Sequence, residues 1–261
     1  MQFIRLISHG PNHAFFNMAL DEAISEAVRT KLSPPTLRFY QWDRPSLSIG
    51  YFQKISDVNI SYCKEKDYPV VRRLTGGRAI LHDSELTYSF SSPSDHPQFN
   101  GGLHENYSLL SNALVYGLKL AGIDAKSSFR KKRSAGHKNP ACFKSVSYGE
   151  IAVNRKKIIG SAQKRYSNGF MQHGSILMNL DAKELSNTLL ENSGENFSAI
   201  TTINEHLPDV TVDALKSSLK EAFEKQIKVK LISDKPTQFE LDLAKSLEAD
   251  KYAAEEWNYK K

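Results

Sequence analysis

Glu150-Ile151-Ala152-Val153-Asn154-Arg155-Lys156-Lys157-Ile158-Ile159-Gly160-Ser161-Ala162-Gln163-Lys164 is the stretch on which the fold turns. Two β-prone runs flank Asn154-Arg155-Lys156, so residues 150–154 and 157–164 read as a hairpin. Residues 170–180 supply a third strand, antiparallel to the second. Upstream, 3–7 reads as an edge strand, and 36–42, 46–52, 69–74, 79–82 and 85–91 as further strands. The spacing of Phe16, Ala19, Leu20, Ala23, Ile24 and Ala27 predicts a helix over 13–29 that Asn12 caps. Further helices are expected near 58–66, 105–121, 182–191, 211–226 and 236–249, with a strand at 227–232. Strands fill the middle and helices flank them. That order predicts an α+β fold with mixed or antiparallel sheets, without the regular alternation of a doubly wound fold. A single catalytic domain over 1–261 is expected, with no separate C-terminal accessory domain.

Lysine and arginine exceed aspartate and glutamate by 35 to 29 in 261 residues, a net charge of +6. This mild bias favours an acidic partner or nucleic acid and chooses neither. Much of it sits in Arg130, Lys131, Lys132, Arg133 and Lys138, which read either as a solvated loop or as a landing strip for an acidic protein. The apolar run at the N-terminus is too short for a signal peptide. No stretch reaches the roughly 18 apolar residues of a membrane helix. A soluble, cytoplasmic protein with reduced thiols is therefore expected.

There are two cysteines, too few for a disulfide framework or a zinc cage, and no metal site is expected. Cys63, inside a short helix, reads as a small core residue. Cys142 stands in Asn139-Pro140-Ala141-Cys142-Phe143, a polar loop one strand upstream of Lys157. A free thiol is about 3% thiolate at neutral pH, and a nearby ammonium raises that share. Cys142 with Lys157 thus reads as a nucleophile and its activating cation, against the plainer alternative of an inert buried thiol.

Two further constellations stand out. In Arg72-Arg73-Leu74-Thr75-Gly76-Gly77-Arg78, followed by His82-Asp83, adjacent glycines between two strands admit positive φ and close approach of a ligand to bare backbone. Exposed N–H groups there can hold an anion. Gly160-Ser161-Ala162-Gln163 and Gln172-His173-Gly174-Ser175 put small residues on paired strands. They leave room either for a slender apolar chain or for a closely packed helix.

In this order the three constellations resemble the lipoate–protein ligase and octanoyltransferase superfamily, which also holds the biotin–protein ligases. The resemblance spans nearly the whole chain. Asn17-Met18-Ala19-Leu20-Asp21-Glu22 is similar to the family's first-helix signature, and Lys251-Tyr252 with Glu255-Glu256-Trp257-Asn258 to a tail of several members. Arg78 where ATP-using ligases generally carry a third glycine, and Cys142 in its Pro-x-Cys-Phe context, resemble the cysteine-dependent octanoyltransferase branch.

The resemblance implies a biotin/lipoate–protein ligase-like domain that moves octanoate from octanoyl-acyl carrier protein, through a Cys142 thioester, to a lysine of a lipoyl-domain protein such as glycine-cleavage H protein. It implies Cys142 and Lys157 as catalytic residues. Arg73, Thr75, Gly76, Gly77, His82, Gly160, Ser161, Gln163, His173 and Gly174 are implied as substrate-binding, with His82 a candidate proton acceptor. A monomer is expected, with no nucleic-acid or membrane partner and no cofactor. Three alternatives stay open. One is an ATP- and Mg-dependent lipoate–protein ligase that uses Lys157, and another is an amidotransferase between lipoyl-domain proteins. The last is a non-catalytic binder of lipoyl domains or nucleic acid.

Overall fold

β1 (Phe3–Asn12) leads into α1 (Ala14–Arg29); then come β2 (Thr36–Trp42), β3 (Ser46–Ile49), α2 (Ile60–Glu65), β4 (Val70–Arg72), β5 (Ile80–His82) and β6 (Glu85–Pro93). The long α3 (Leu103–Ala121) precedes β7 (Lys126–Ser128), β8 (Glu150–Val153), β9 (Lys156–Tyr166) and β10 (Gly169–Leu177). The last part holds α4 (Ala182–Asn187), α5 (Ile203–His206), α6 (Val212–Ile227), β11 (Lys230–Ser233), α7 (Gln238–Leu247) and α8 (Glu255–Asn258). The computed structural model describes residues 2–128, 149–190 and 199–260.

Eight strands form one mixed sheet in the order β11-β1-β2-β6-β10-β9-β8-β7, and three form a small sheet, β4-β3-β5. The expected α+β fold with a mixed sheet is what the chain adopts. The β8–β9 hairpin turns through Asn154 and Arg155, both at positive φ (49° and 67°), the geometry that matches the twist of paired strands.

Side-chain alternation sorts the large sheet into two faces. Leu37 and Phe39 of β2, with Leu86, Tyr88 and Phe90 of β6, join the core formed by α3 and α6 around Leu114, Leu219 and Phe223. Tyr40 and Trp42 face the other way, into the core that α1 builds with Met18, Leu20 and Ile24. The odd-numbered β6 residues Glu85, Thr87 and Ser89 are buried but polar. They mark the face on which a site can be built.

Two expectations are corrected. Residues 3–7 do not form an edge strand: β1 lies between β11 and β2, parallel to both, and β11 takes the edge. The α1 cap is His13, whose Nδ1 accepts the Phe15 N–H (3.4 Å), while Asn12 turns its amide back to the Gly10 carbonyl (3.0 Å). The Gly76-Gly77 loop joins β4 and β5, which do not pair with each other but flank β3. Cys63 is buried, as a core residue should be. Among the described residues no helix is long and apolar enough to cross a membrane.

Candidate active site

A cleft of about 420 Å³ opens between β9, β10 and β6 of the large sheet and the small sheet, with α1 and β2 behind it. Its apolar wall is Met18, Trp42, Ile80 and Ala162. Its floor is thin because the strand register sets Gly174 against Ser161, and Ser175 against Gly160. A side chain at 174 has no room: its Cβ would stand 2.6 Å from the Gly160 carbonyl oxygen and 2.6 Å from the Tyr88 ring. Trp42 stacks flat on His82, rings 3.9 Å apart and 11° from parallel, and its indole N–H is held by Thr87 Oγ1 at 2.8 Å.

The Gly-Gly loop forms the rim. Gly77 sits at φ +102°, where a Cβ would also stand 2.9 Å from Arg73 Nη2. That same nitrogen donates to the carbonyls of Gly76 (3.1 Å) and Arg78 (3.0 Å). Arg73 Nη1 reaches into the small sheet, to Ser48 O (3.0 Å) and Ser48 Oγ (2.8 Å). Tyr51 N–H ties the neighbouring turn to the Thr75 carbonyl (2.8 Å). Gly50 lies directly under Gly77, where any Cβ would collide with the Gly77 carbonyl.

Arg72 has a different task. Its guanidinium, almost fully buried, donates to the carbonyls of Gly50, Tyr51, Gln53, Trp257, Asn258 and Lys260. The tail is fixed at its other end by Lys251 and Tyr252, which both bond Glu22 on α1. The tail motif, the first-helix motif and the Arg-Arg motif are therefore one connected piece of structure.

Behind the cleft, Asp21 of α1 is buried with Arg38, Tyr40 and His173. Arg38 Nη1 lies 2.6 Å from Asp21 Oδ1, Tyr40 OH donates to Oδ2 (2.8 Å), and His173 Nδ1 faces Oδ2 at 3.6 Å. Burial pushes the Asp21 carboxyl up, but Arg38 and then His173 outweigh it and hold it below the usual carboxylate range. Burial dominates at His173 and keeps its imidazole below the usual value despite Asp21. Burial and the Tyr40 neighbour Asp21 push that phenol well up. His9, which accepts from Arg38 Nε at 3.4 Å, is brought down to about 4 by burial and by that guanidinium.

The structure gathers Arg73, Gly77, His82, Gly160, Ser161, His173 and Gly174 around this one cleft. Thr75 and Gly76 stand just behind the rim, Thr75 bonding His173 Nε2 (2.7 Å) and Gly76 bonding Arg73. Gln163 lies one step out along β9, with its amide on Gln172 (3.2 Å). His82 has both ring nitrogens engaged, Nδ1 with Glu85 (2.8 Å) and Nε2 with Ser48 (2.7 Å).

Lys157 is buried in β9, outside the cleft lining, with its ammonium on Glu150. Its carbonyl accepts from Thr201, and Ile200 beside it packs with Ile80 of the cleft wall. Cys142 and the basic run Arg130 to Lys138 lie outside the described residues.

Sequence reasoning missed Glu150, Ser48, Arg38 and Trp42. The only trace of Glu150 was its place in the hairpin, two residues along β8 from Ala152, the partner of Lys157. Ser48 and Trp42 carried no motif at all.

The family model for the lipoyl protein ligase A/B catalytic domain matches residues 13–224. The chain is 40% identical to "Octanoyltransferase LipM" of Kyrpidia tusciae, over 100% of both chains. It is 38% identical to the protein of that name from Bacillus cereus, over 98% of this chain and 97% of that one. Among solved structures it is similar to a lipoate-protein ligase A bound with ATP, with TM-score 0.84, 27% identity and 99% of each chain covered. It is also similar to a bi-partite lipoate protein ligase of Thermoplasma acidophilum solved in a study of that ligase and its E2 lipoyl domain, with TM-score 0.82, 26% identity, and 99% and 97% covered.

Proposed function

This chain belongs to the family of lipoyl protein ligase A/B catalytic domains, and we propose that within it the chain moves octanoate from acyl carrier protein through a thioester on Cys142. It is an octanoyltransferase of protein lipoylation, acting on a lipoyl protein acceptor. The observation that carries the two-step scheme is the cleft itself. Its apolar wall stands beside a glycine loop, and the sequence carries a cysteine between β7 and β8.

In the first step the Cys142 sulfur attacks the carbonyl carbon of the donor thioester. The new S–C bond replaces the old one, and the displaced thiolate takes up the proton that Cys142 gives up. In the second step a neutral acceptor lysine attacks the octanoyl-enzyme, forms the amide C–N bond and returns the sulfur as a thiol. A thioester becomes an amide, a downhill exchange that calls for no ATP.

We assign the oxyanion of both steps to backbone N–H groups of the Gly76-Gly77 loop, of which Gly77 lines the cleft. The slot between Met18, Trp42 and Ile80 takes the acyl chain. About seven methylene-sized groups at ~0.8 kcal/mol each contribute about 5–6 kcal/mol before entropy losses. The acceptor lysine is neutral in only about one copy in 2,500 at pH 7, a cost of about 4.6 kcal/mol that a desolvated site lowers. Lys157 acts by exchanging Glu150 for the acyl carbonyl oxygen, which frees its charge from the carboxylate that now offsets it. Glycine-cleavage H protein fits as the acceptor.

Intact-mass measurement after incubation with octanoyl-acyl carrier protein, without ATP, tests the scheme. An octanoyl adduct is expected on the wild type and none on Cys142→Ala. Transfer by Cys142→Ala at the wild-type rate would sink it.

A further inference from the structure

The cleft holds two histidines, and each is the centre of a carboxylate–imidazole–hydroxyl chain. In one, Glu85 Oε1 faces His82 Nδ1 at 2.8 Å, and His82 Nε2 faces Ser48 Oγ at 2.7 Å. In the other, Asp21 Oδ2 faces His173 Nδ1 at 3.6 Å, and His173 Nε2 faces Thr75 Oγ1 at 2.7 Å. The arrangement has the order of residue types seen in hydrolase triads. Here the terminal hydroxyls are not nucleophiles: Ser48 and Thr75 are both 0% exposed, and neither lines the cleft.

Donor and acceptor bookkeeping orders the first chain. Arg73 only donates, so Ser48 Oγ accepts from its Nη1 and keeps its hydrogen and one lone pair for His82 Nε2. Glu85 also accepts from Thr87 and Ser175, and these donors with His82 hold its carboxyl ionised although burial opposes them. An ionised carboxylate only accepts, so His82 Nδ1 carries a hydrogen towards Glu85. The second chain repeats the pattern. Asp21 is ionised, so Nδ1 of the neutral His173 carries the hydrogen towards it, and Nε2 accepts from Thr75.

Both chains end on the same loop. Thr75 belongs to it, and Ser48 holds Arg73, which clamps the carbonyls of Gly76 and Arg78. We propose that His82 and His173 are struts that fix the Gly-Gly rim from two sides, and that they do not carry protons in the reaction. Ser48, Glu85, Asp21 and Thr75 are positioning residues that act through them. The reason for two struts is geometric: one fixes the loop where it leaves β4, and the other fixes the arginine that spans the turn to Arg78. Misplacing an oxyanion donor by about 1 Å is enough to cost roughly 100-fold in rate.

The inference deepens the octanoyl-transfer scheme and rests on it for its kinetic arm only. In the full-length wild type with 15N-labelled histidine, NMR should show a hydrogen on Nδ1 of both rings at pH 7. Ser48→Ala should shift the His82 Nε2 resonance, because that nitrogen loses its partner. In single-turnover octanoyl transfer, Ser48→Ala and Thr75→Val should each lower the rate 10- to 100-fold, with half-saturation by donor changed less than threefold. Thr75→Ser, which keeps the hydroxyl, should recover most of its loss. A ring in the wild type without a hydrogen on Nδ1 overturns the struts. So does an ionisation in the pH–rate profile that vanishes in His82→Gln or His173→Gln. A wild type with both Nδ1 hydrogens in place but no octanoyl transfer would instead break the transfer scheme and leave the struts standing.

Discussion

Arg72 and Arg73 are neighbours in the chain, yet they serve two different regions. Arg72 is spent on backbone carbonyls of the turn after β3 and of the C-terminal tail, and so holds two chain segments to the small sheet. Arg73 lies on the cleft and is spent on the shape of the rim, bonding Ser48, Gly76 and Arg78. The first region is over-connected and closes the fold. The second is narrow, with glycines at 50, 76 and 77, and its geometry depends on a few directed bonds. The difference teaches that identical residue types one position apart divide into scaffold and site according to what their guanidinium groups can reach.

That division can be broken by substitution. Arg72→Ala strands a set of buried carbonyls and should cost about 3–5 kcal/mol of stability. Urea titration should show the loss, and a midpoint within error of the wild type would remove the scaffold role. Arg73→Ala should keep most of the stability but lower octanoyl transfer roughly 100-fold, as expected when a reacting group loses its positioning. Comparable loss of stability and activity in both variants would erase the distinction between them.

Gly77→Ala should fall between the two. A side chain at φ +102° costs about 1–2 kcal/mol, and here it also presses on Arg73. Thermal unfolding and transfer rate measured together should show a modest loss of stability and a larger loss of rate.

The smallest effect concerns pH. An unfolded His9 takes up a proton near pH 6.5, whereas the folded one does so only at about 4. Between these values the unfolded chain binds more protons, so stability rises with pH there. His173, also lowered, adds a slope of the same sign below pH 6.5. His9→Asn should flatten part of the rise in urea midpoint from pH 4.5 to 6.5. Equal slopes in the two proteins would remove His9 from the account.

Elements governed by local rules were legible in the sequence. The β8–β9 hairpin follows from its turn residues, and α1 from its apolar spacing. The start of α1 was misread because His13, rather than the better capper Asn12, stands where the backbone enters the helix. β1 was misread as an edge because its outer partner, β11, lies more than 200 residues away and is only four residues long. Nor did local rules show that β3 lies between β4 and β5, two strands that are adjacent in sequence. Most site residues carried motifs and could be named in advance. Ser48, Trp42 and Glu150 could not, because each matters only through a partner supplied by another strand.

The amino-acid order alone settled the family, the glycine rim and the small-residue floor, because these rest on residue types at short spacing. Which histidine nitrogen meets which hydroxyl, and that Lys157 is paired with Glu150, were settled only when distant strands came into register. The physical reason is that hydrogen bonds and ion pairs depend on distances of a few ångströms between groups far apart in the chain, and nothing local in the sequence specifies those distances.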